Sequence, residues 1–220
     1  MMNHNMTELV FILDKSGSMR GLEKDTIGGY NSMLEKQKAE KGSAHVTTVL
    51  FDNHVELLHD RLPLGCVKPL TEKEYCVGGT TALLDAVGTT IQRINEIQNA
   101  EPEESRAGKV IFVITTDGFE NASRKFTYPI LKNLIESQQK EMGWEFMFLG
   151  ANMDAVSEAG KLGIQPDRAA SFVNDSIGIA TNYASVSMAV SAMRAAPKGK
   201  RIDSNWKEKI VEDFKKRSRK

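Results

Sequence analysis

The chain has 220 residues, with 29 Lys or Arg balanced by 29 Asp or Glu and only two cysteines. That length suits one large domain, or one domain with an extension, and it can bury a full core without disulfide staples. No apolar run approaches the roughly 20 residues of a membrane-spanning helix, and Met1 to Glu8 lacks the basic-then-apolar pattern of a secretory leader.

Leu9 to Leu13 is an apolar run that stops at Asp14, the pattern of a buried parallel strand ending in a loop. Leu22 to about Glu40 reads as a helix whose apolar face carries Leu22, Ile27, Tyr30 and Leu34. His45–Phe51 and His54–His59 read as two strands joined at the tight-turn pair Asp52-Asn53, which puts an antiparallel edge strand on the sheet. Thr81 to about Gln98 is the next helix, with Leu84, Val87, Ile91 and Ile94 on one stripe. A second apolar run, Val110 to Ile114, is followed closely by Asp117. Tyr128 to about Met142 reads as a helix with Thr127 as cap and Pro129 in its first turn. Trp144–Leu149 is a strand, Asp154–Lys161 a short helix, and Ala170–Val173 a short last strand. Ser176 to about Arg194 is a helix with Ile179, Tyr183, Val186, Val190 and Met193 on one face, broken at Pro197 to Gly199. Asn205 to about Arg217 is a final helix, in which Asn205 and Glu208 have capping-box spacing.

Strands alternating with helices predict a doubly wound, mostly parallel α/β sheet with one antiparallel edge strand and helices on both faces. Residues 1–195 make the domain and 196–220 a basic C-terminal helical extension. From Arg194 to Lys220 there are 11 Lys or Arg against 4 Asp or Glu, a surplus of +7 that leaves −7 on residues 1–193. Trp206, Ile210 and Phe214 share one face of that helix, so docking on the domain is the expectation and nucleic acid is not an expected partner.

Sites of open α/β sheets lie at the carboxyl ends of the strands. Three segments fall there: Asp14-Lys15-Ser16-Gly17-Ser18, Thr80-Thr81 after Gly78-Gly79, and Asp117-Gly118. Asp14, Ser16, Ser18, a threonine and Asp117 offer two carboxylates and three hydroxyls. These hard oxygen donors suit Mg2+ (or Mn2+) and argue against a calcium cage. Ser16 and Ser18 lie two apart, so in an extended loop both hydroxyls point the same way. Two carboxylates cancel the charge of a divalent ion without over-neutralising it.

The Asp-x-Ser-x-Ser, Gly-Gly-Thr-Thr and Thr-Asp-Gly segments, in that order, resemble the metal-ion-dependent adhesion site of von Willebrand factor type A (vWA) domains, here of a stand-alone bacterial or phage type. The resemblance spans roughly residues 6 to 175. It implies the metal ligands Asp14, Ser16, Ser18, Thr81 and Asp117. Thr81 is preferred over Thr80, because its spacing to Asp85-Ala86 matches the family's. It implies that the hydroxyls bind directly and the carboxylates largely through water, which leaves an open position for an Asp or Glu of a partner protein. It also implies coupling between the metal loops and the C-terminal helix, here Ser176–Arg194.

An alternative is an assisting subunit of a separate ATPase, since the chain has no phosphate-cradling Gly-x-x-x-x-Gly-Lys-Ser/Thr segment of its own. An aspartate-based phosphatase needs a second acid two residues after the nucleophile, where this chain has Ser16, and no Gly-x-Ser-x-Gly elbow is present. The expectation is therefore a binding module and not an enzyme. Glu120 and Asn121 fit either a loop-shaping or a ligand-contacting role, Lys15 either a partner contact or solvent, and Asp85 a carboxylate favouring a helix N-terminus. His4, His45, His54 and His59 have no ligand spacing, and His54 and His59 are read as surface residues. Cys66 and Cys76 match no zinc or redox motif, which points to free thiols and a cytoplasmic protein.

Overall fold

The computed structural model describes residues 3–197, 200 and 202–217. The strands are β1 (Asn3–Asp14), β2 (Ser43–Phe51), β3 (Val55–Pro63), β4 (Ala107–Thr116), β5 (Glu145–Ala151) and β6 (Ala169–Phe172). They form one sheet in the order β3-β2-β1-β4-β5-β6. All neighbours are parallel except β2 and β3, so the antiparallel strand sits at the edge, as the Asp52-Asn53 turn predicts. The helices are α1 (Glu23–Lys38), α2 (Leu83–Ala100), α3 (Tyr128–Ser137), α4 (Ala155–Lys161), α5 (Ser176–Ala195) and α6 (Glu208–Arg217). From β1 the chain first pairs β2 on one side and later adds β4 on the other. The crevice between the ends of β1 and β4 is therefore the topological switch point.

The uniformly apolar strand β1 still alternates. Leu9, Phe11 and Leu13 face α1, α5 and α6, meeting Tyr30, Met33 and Leu34 together with Ile179, Val186 and Val190. Val10 and Ile12 face the other layer, where Leu84, Val87, Ile91 and Ile94 of α2 join Leu131 and Ile135 of α3. Burial on both faces is why β1 carries no polar alternation. Each fully buried aliphatic or Phe side chain contributes about 1.5–3 kcal/mol. In the second layer Phe112 stacks on Trp144 and Phe146, with ring centroids 5.6 and 4.8 Å away.

Several local expectations are corrected. The face of α1 is shifted: Thr26, Tyr30, Met33, Leu34 and Gln37 are buried, while Leu22 and Ile27 are only partly so. Gln37 can occupy that face because it finds partners, donating to Ser187 O at 3.1 Å and Ser191 Oγ at 2.9 Å. Thr127 takes the cap position of α3 but makes no side-chain cap bond. Pro129, the second helical residue, has no amide to offer it. The stretch Gln138–Met142 continues α3 as a π-helical turn, stopped by Gly143 at φ 69°. The capping box at Asn205 and Glu208 does not form. A 3-10 turn, Ser204–Lys207, precedes α6, and Asp203 caps it by accepting from the Asn205 amide at 3.1 Å. His59 is buried, not a surface residue, and its Nδ1 lies 3.0 Å from Thr48 Oγ1. His54 is exposed, as read. The predicted break at Pro197 to Gly199 falls after the end of α5 at Ala195, with residues 198 and 199 outside the described residues.

The extension meets the domain through its apolar face. Trp206 and Ile210 are buried in the same core layer as α5, and the Trp206 indole donates to Asp167 O at 3.0 Å. Among the described residues no helix is long and apolar enough to cross a membrane.

Candidate metal centre

Asp14 is the last residue of β1, and Asp117 follows the end of β4 at the switch point. Beyond Asp14 the chain leaves the sheet. Lys15 N donates to Phe51 O at 2.7 Å, and Gly17 N donates to Gly79 O at 3.1 Å. Gly78 N returns a bond to Lys15 O at 2.9 Å, so the 15–17 and 78–79 loops are stitched together. Gly79 has φ +73°, and a Cβ there would come within 2.2 Å of Asn53 Oδ1, so glycine is required for this contact.

Four of the five sequence-predicted residues form one hydrogen-bonded chain. Asp14 Oδ1 accepts from the Ser16 amide at 2.7 Å. Ser16 Oγ lies 3.1 Å from Ser18 Oγ, and Ser18 Oγ donates to Asp117 Oδ1 at 2.5 Å. The Ser18 proton is thus committed to Asp117, and Ser16 is the donor of the serine pair. Asp14, Ser16 and Thr81 are buried. Thr80 is exposed, while Thr81 lies against the loop after Asp117: a Cβ added to Gly118 would meet Thr81 Oγ1 at 2.7 Å.

Three residues to which the sequence assigned no role in the site hold this set in place. Thr116 Oγ1 donates to Asp14 Oδ2 at 2.6 Å, Asn174 Nδ2 donates to Asp117 Oδ2 at 2.9 Å, and Tyr75 donates its hydroxyl proton to Asp14 O. Thr116 was detectable as the hydroxyl residue before Asp117. Asn174 and Tyr75 carry no local signal, because tertiary folding alone brings them to the site.

The loop after Asp117 is fastened to the N-terminus of α2. Glu120 accepts from the amides of Leu84, Ala122 and Ser123, and Asn121 Oδ1 accepts from Thr81 N at 2.9 Å. Asp85 accepts from the amides of Arg124, Lys125 and Phe126. Burial pushes Asp85 up, but these amides outweigh it and hold its pKa below the usual carboxylate value. Glu120, Asn121 and Asp85 are thus loop-shaping residues. Asp85 stands in the first turn of α2, where a carboxylate favours the helix N-terminus, and it also clamps the neighbouring loop. Lys15 pairs with Glu56 at 2.6 Å.

The electrostatics fit a cation. Burial raises the pKa of Asp14 against hydrogen bonds from Ser16 and Thr116, and the negative charge of Asp117 raises it further. Burial raises Asp117 against Ser18 and Asn174. Among the described residues no Lys, Arg or His pairs with either carboxylate. Two desolvated carboxylates beside three hydroxyls form an oxygen-only donor set of the kind that hard divalent cations take. Among the described residues, no three His, Cys, Asp or Glu converge anywhere, so a soft-ligand site is absent there.

No protein-family model matches the chain, and no curated protein matches it. Solved structures do. A von Willebrand factor type A protein from Catenulispora acidiphila is 16% identical, with a TM-score of 0.57 over 85% of this chain and 43% of its own. The ArnB paralog VWA2 from Sulfolobus acidocaldarius is 16% identical, with a TM-score of 0.51 over 90% of this chain and 45% of its own. The vWF domain of the type V pili tip protein Mfa5 from Porphyromonas gingivalis is 11% identical, with a TM-score of 0.58 over 88% of this chain and 98% of its own. The chain therefore spans less than half the length of the first two and nearly all of the third. These likenesses are of fold: the chain has the doubly wound α/β fold of von Willebrand factor type A domains.

Proposed function

We propose that this chain is a divalent-metal-dependent protein-binding module. Asp14, Ser16, Ser18, Thr81 and Asp117 hold Mg2+ (or Mn2+), and an Asp or Glu of a partner protein completes the coordination. The observation that carries this reading is the single chain of bonds running from Asp14 through Ser16 and Ser18 to Asp117, across the switch point of the sheet. When bound, the ion supplies Lewis acidity and an open position for an oxygen ligand.

The protein's own residues divide the remaining work. Thr116 and the Ser16 amide occupy both oxygens of Asp14 and hold it in place. Each oxygen keeps a lone pair free, so the held carboxylate can still face a bound ion or its water. Phe119 and Ile177 stand 60% and 62% exposed, two residues past Asp117 and three past Asn174. Large exposed apolar side chains beside a site offer contact area to a protein ligand. The exposed free thiols Cys66 and Cys76 suit a reducing, cytoplasmic setting.

The test is calorimetric titration of the wild type and Asp14→Ala with Mg2+ and with Mn2+. A pull-down from lysate in Mg2+ against chelator would follow. Saturable binding that the variant loses is the expected result. A wild type that binds neither ion overturns the reading.

A further inference from the structure

Behind the loop of Asp14 lies a small cavity of about 10 Å³, lined by Leu13, Asp14, Met19, Thr26, Thr115, Phe172, Ile179 and Tyr183. Its walls come from β1, β4, β6, α1, α5 and the loop after β1. Leu13 and Thr115 are direct partners in the β1–β4 register, so the cavity sits immediately beneath the crevice at the switch point. Most of the lining is apolar, but three hydroxyls interrupt it. Thr26, Thr115 and Tyr183 are 2%, 5% and 5% exposed, and none of their hydroxyl oxygens has a hydrogen-bond partner of good geometry among the described residues.

A buried hydroxyl without a partner costs its full desolvation. Three around one cavity would consume a sizeable part of the marginal stability of a domain this large. Native proteins resolve such sets with an internal water, which needs roughly 10–15 Å³ and two to four polar partners. The cavity meets both conditions. Each hydroxyl can donate or accept, so one water can bond to all three without conflict.

We propose that this cavity is a single-water binding site, with Thr26 of α1, Thr115 of β4 and Tyr183 of α5 as its ligands. The water ties two helices to the sheet directly under the carboxylate of Asp14. Because Thr115 and Thr116 lie at the end of β4 and Asp14 at the end of β1, the bridge braces the two strand ends that carry the paired carboxylates. Tyr75 packs in the same region, close to Thr26, Tyr183 and Asp14, and its hydroxyl is committed to Asp14 O.

The site is independent of the metal reading and is tested with chelator present. A crystal structure that resolves ordered water should show one water within hydrogen-bond distance of all three hydroxyls. Thr26→Val, Thr115→Val and Tyr183→Phe each leave that water one partner short, and each should lower Tm by about 2–4 °C. The triple variant should lose less than the sum of the three, because all act on one shared bridge. If the hydroxyls instead surround a dry space, apolar replacement relieves their desolvation. A triple variant that melts at or above the wild-type temperature, or a structure with no water at this position, overturns the proposal. If the wild type binds no metal while the three variants melt as described, the water site stands and only the metal reading fails.

Discussion

Asn174 and Asp117 lie 57 residues apart, and the Asn174 amide donates to Asp117 Oδ2 at 2.9 Å. Asp117 follows β4, while Asn174 lies in the short connection between β6 and α5. The other oxygen of Asp117 accepts from Ser18. The carboxylate is therefore clamped from both sides, by the loop after β1 and by the lead-in to α5.

Asn174→Ala should loosen that clamp. Supporting partners of metal-ligand carboxylates typically contribute 10–100-fold to metal affinity. Affinity for Mg2+ should fall by about tenfold, and urea unfolding should show a loss of about 1 kcal/mol. An affinity unchanged in calorimetry would remove Asn174 from the site.

The two adjacent threonines should behave differently. Thr81→Ala is expected to abolish saturable Mg2+ binding, because Thr81 is buried against Gly118, whereas Thr80→Ala should bind as the wild type does. Gly118→Ala should weaken binding with the fold intact, since its Cβ would meet Thr81 Oγ1 at 2.7 Å. Far-ultraviolet circular dichroism beside the titration separates lost binding from lost fold.

Asp14→Asn is expected to split stability from binding. Burial disfavours the ionised carboxylate, and the nearby Asp117 adds repulsion. The neutral amide avoids both. Its oxygen still accepts from Ser16 N, and its NH2 can donate to Thr116 Oγ1, which then donates to Gly118 O at 3.1 Å. In chelator the variant should melt about 2–4 °C above the wild type, and it should gain nothing from added Mg2+. A variant that melts lower in chelator would show that the charge is already compensated.

His59 should make the protein acid-sensitive. Burial lowers its pKa below the ordinary value of 6.5, and the opposing pull of Glu74 is smaller. The folded state then binds the proton less readily than the unfolded state. Stability is full above pH 6.5 and is lost as pH falls from there through the lower folded pKa. His59→Gln, which keeps a group able to bond Thr48, should flatten that part of a stability–pH profile measured by urea unfolding. Parallel profiles for the two proteins would contradict this account.

Ile210→Ala tests whether the extension belongs to the core. Ile210 is fully buried in the layer that holds α5 and β1. Removing it should cost about 2–5 kcal/mol. A helix merely appended to the surface would lose less than about 0.5 kcal/mol, and equilibrium unfolding distinguishes the two.

Much of this molecule is legible without coordinates, for a local reason. A continuous apolar run such as Leu9–Leu13 or Val110–Ile114, closed by a polar loop, has few uses except a strand covered on both faces. A carboxylate just beyond such a run necessarily stands at the carboxyl edge of the sheet. Asp14, Ser16, Ser18 and Asp117 could therefore be grouped in advance, since the strand ends that carry them are local features. The burial of Thr81 and the exposure of Thr80 could not be read from two identical neighbouring residues; the contact with Gly118, far along the chain, separates them. The burial of His59, the pairing of fully buried Glu8 with Arg61 at 2.5 Å and the cavity of Thr26, Thr115 and Tyr183 are likewise products of assembly. The sequence by itself determined the strands, their polar ends and the chemistry available there. Only the tertiary structure decided which side chains hold those ends in position, because hydrogen bonds between distant segments depend on how the layers pack and leave no periodic trace along the chain.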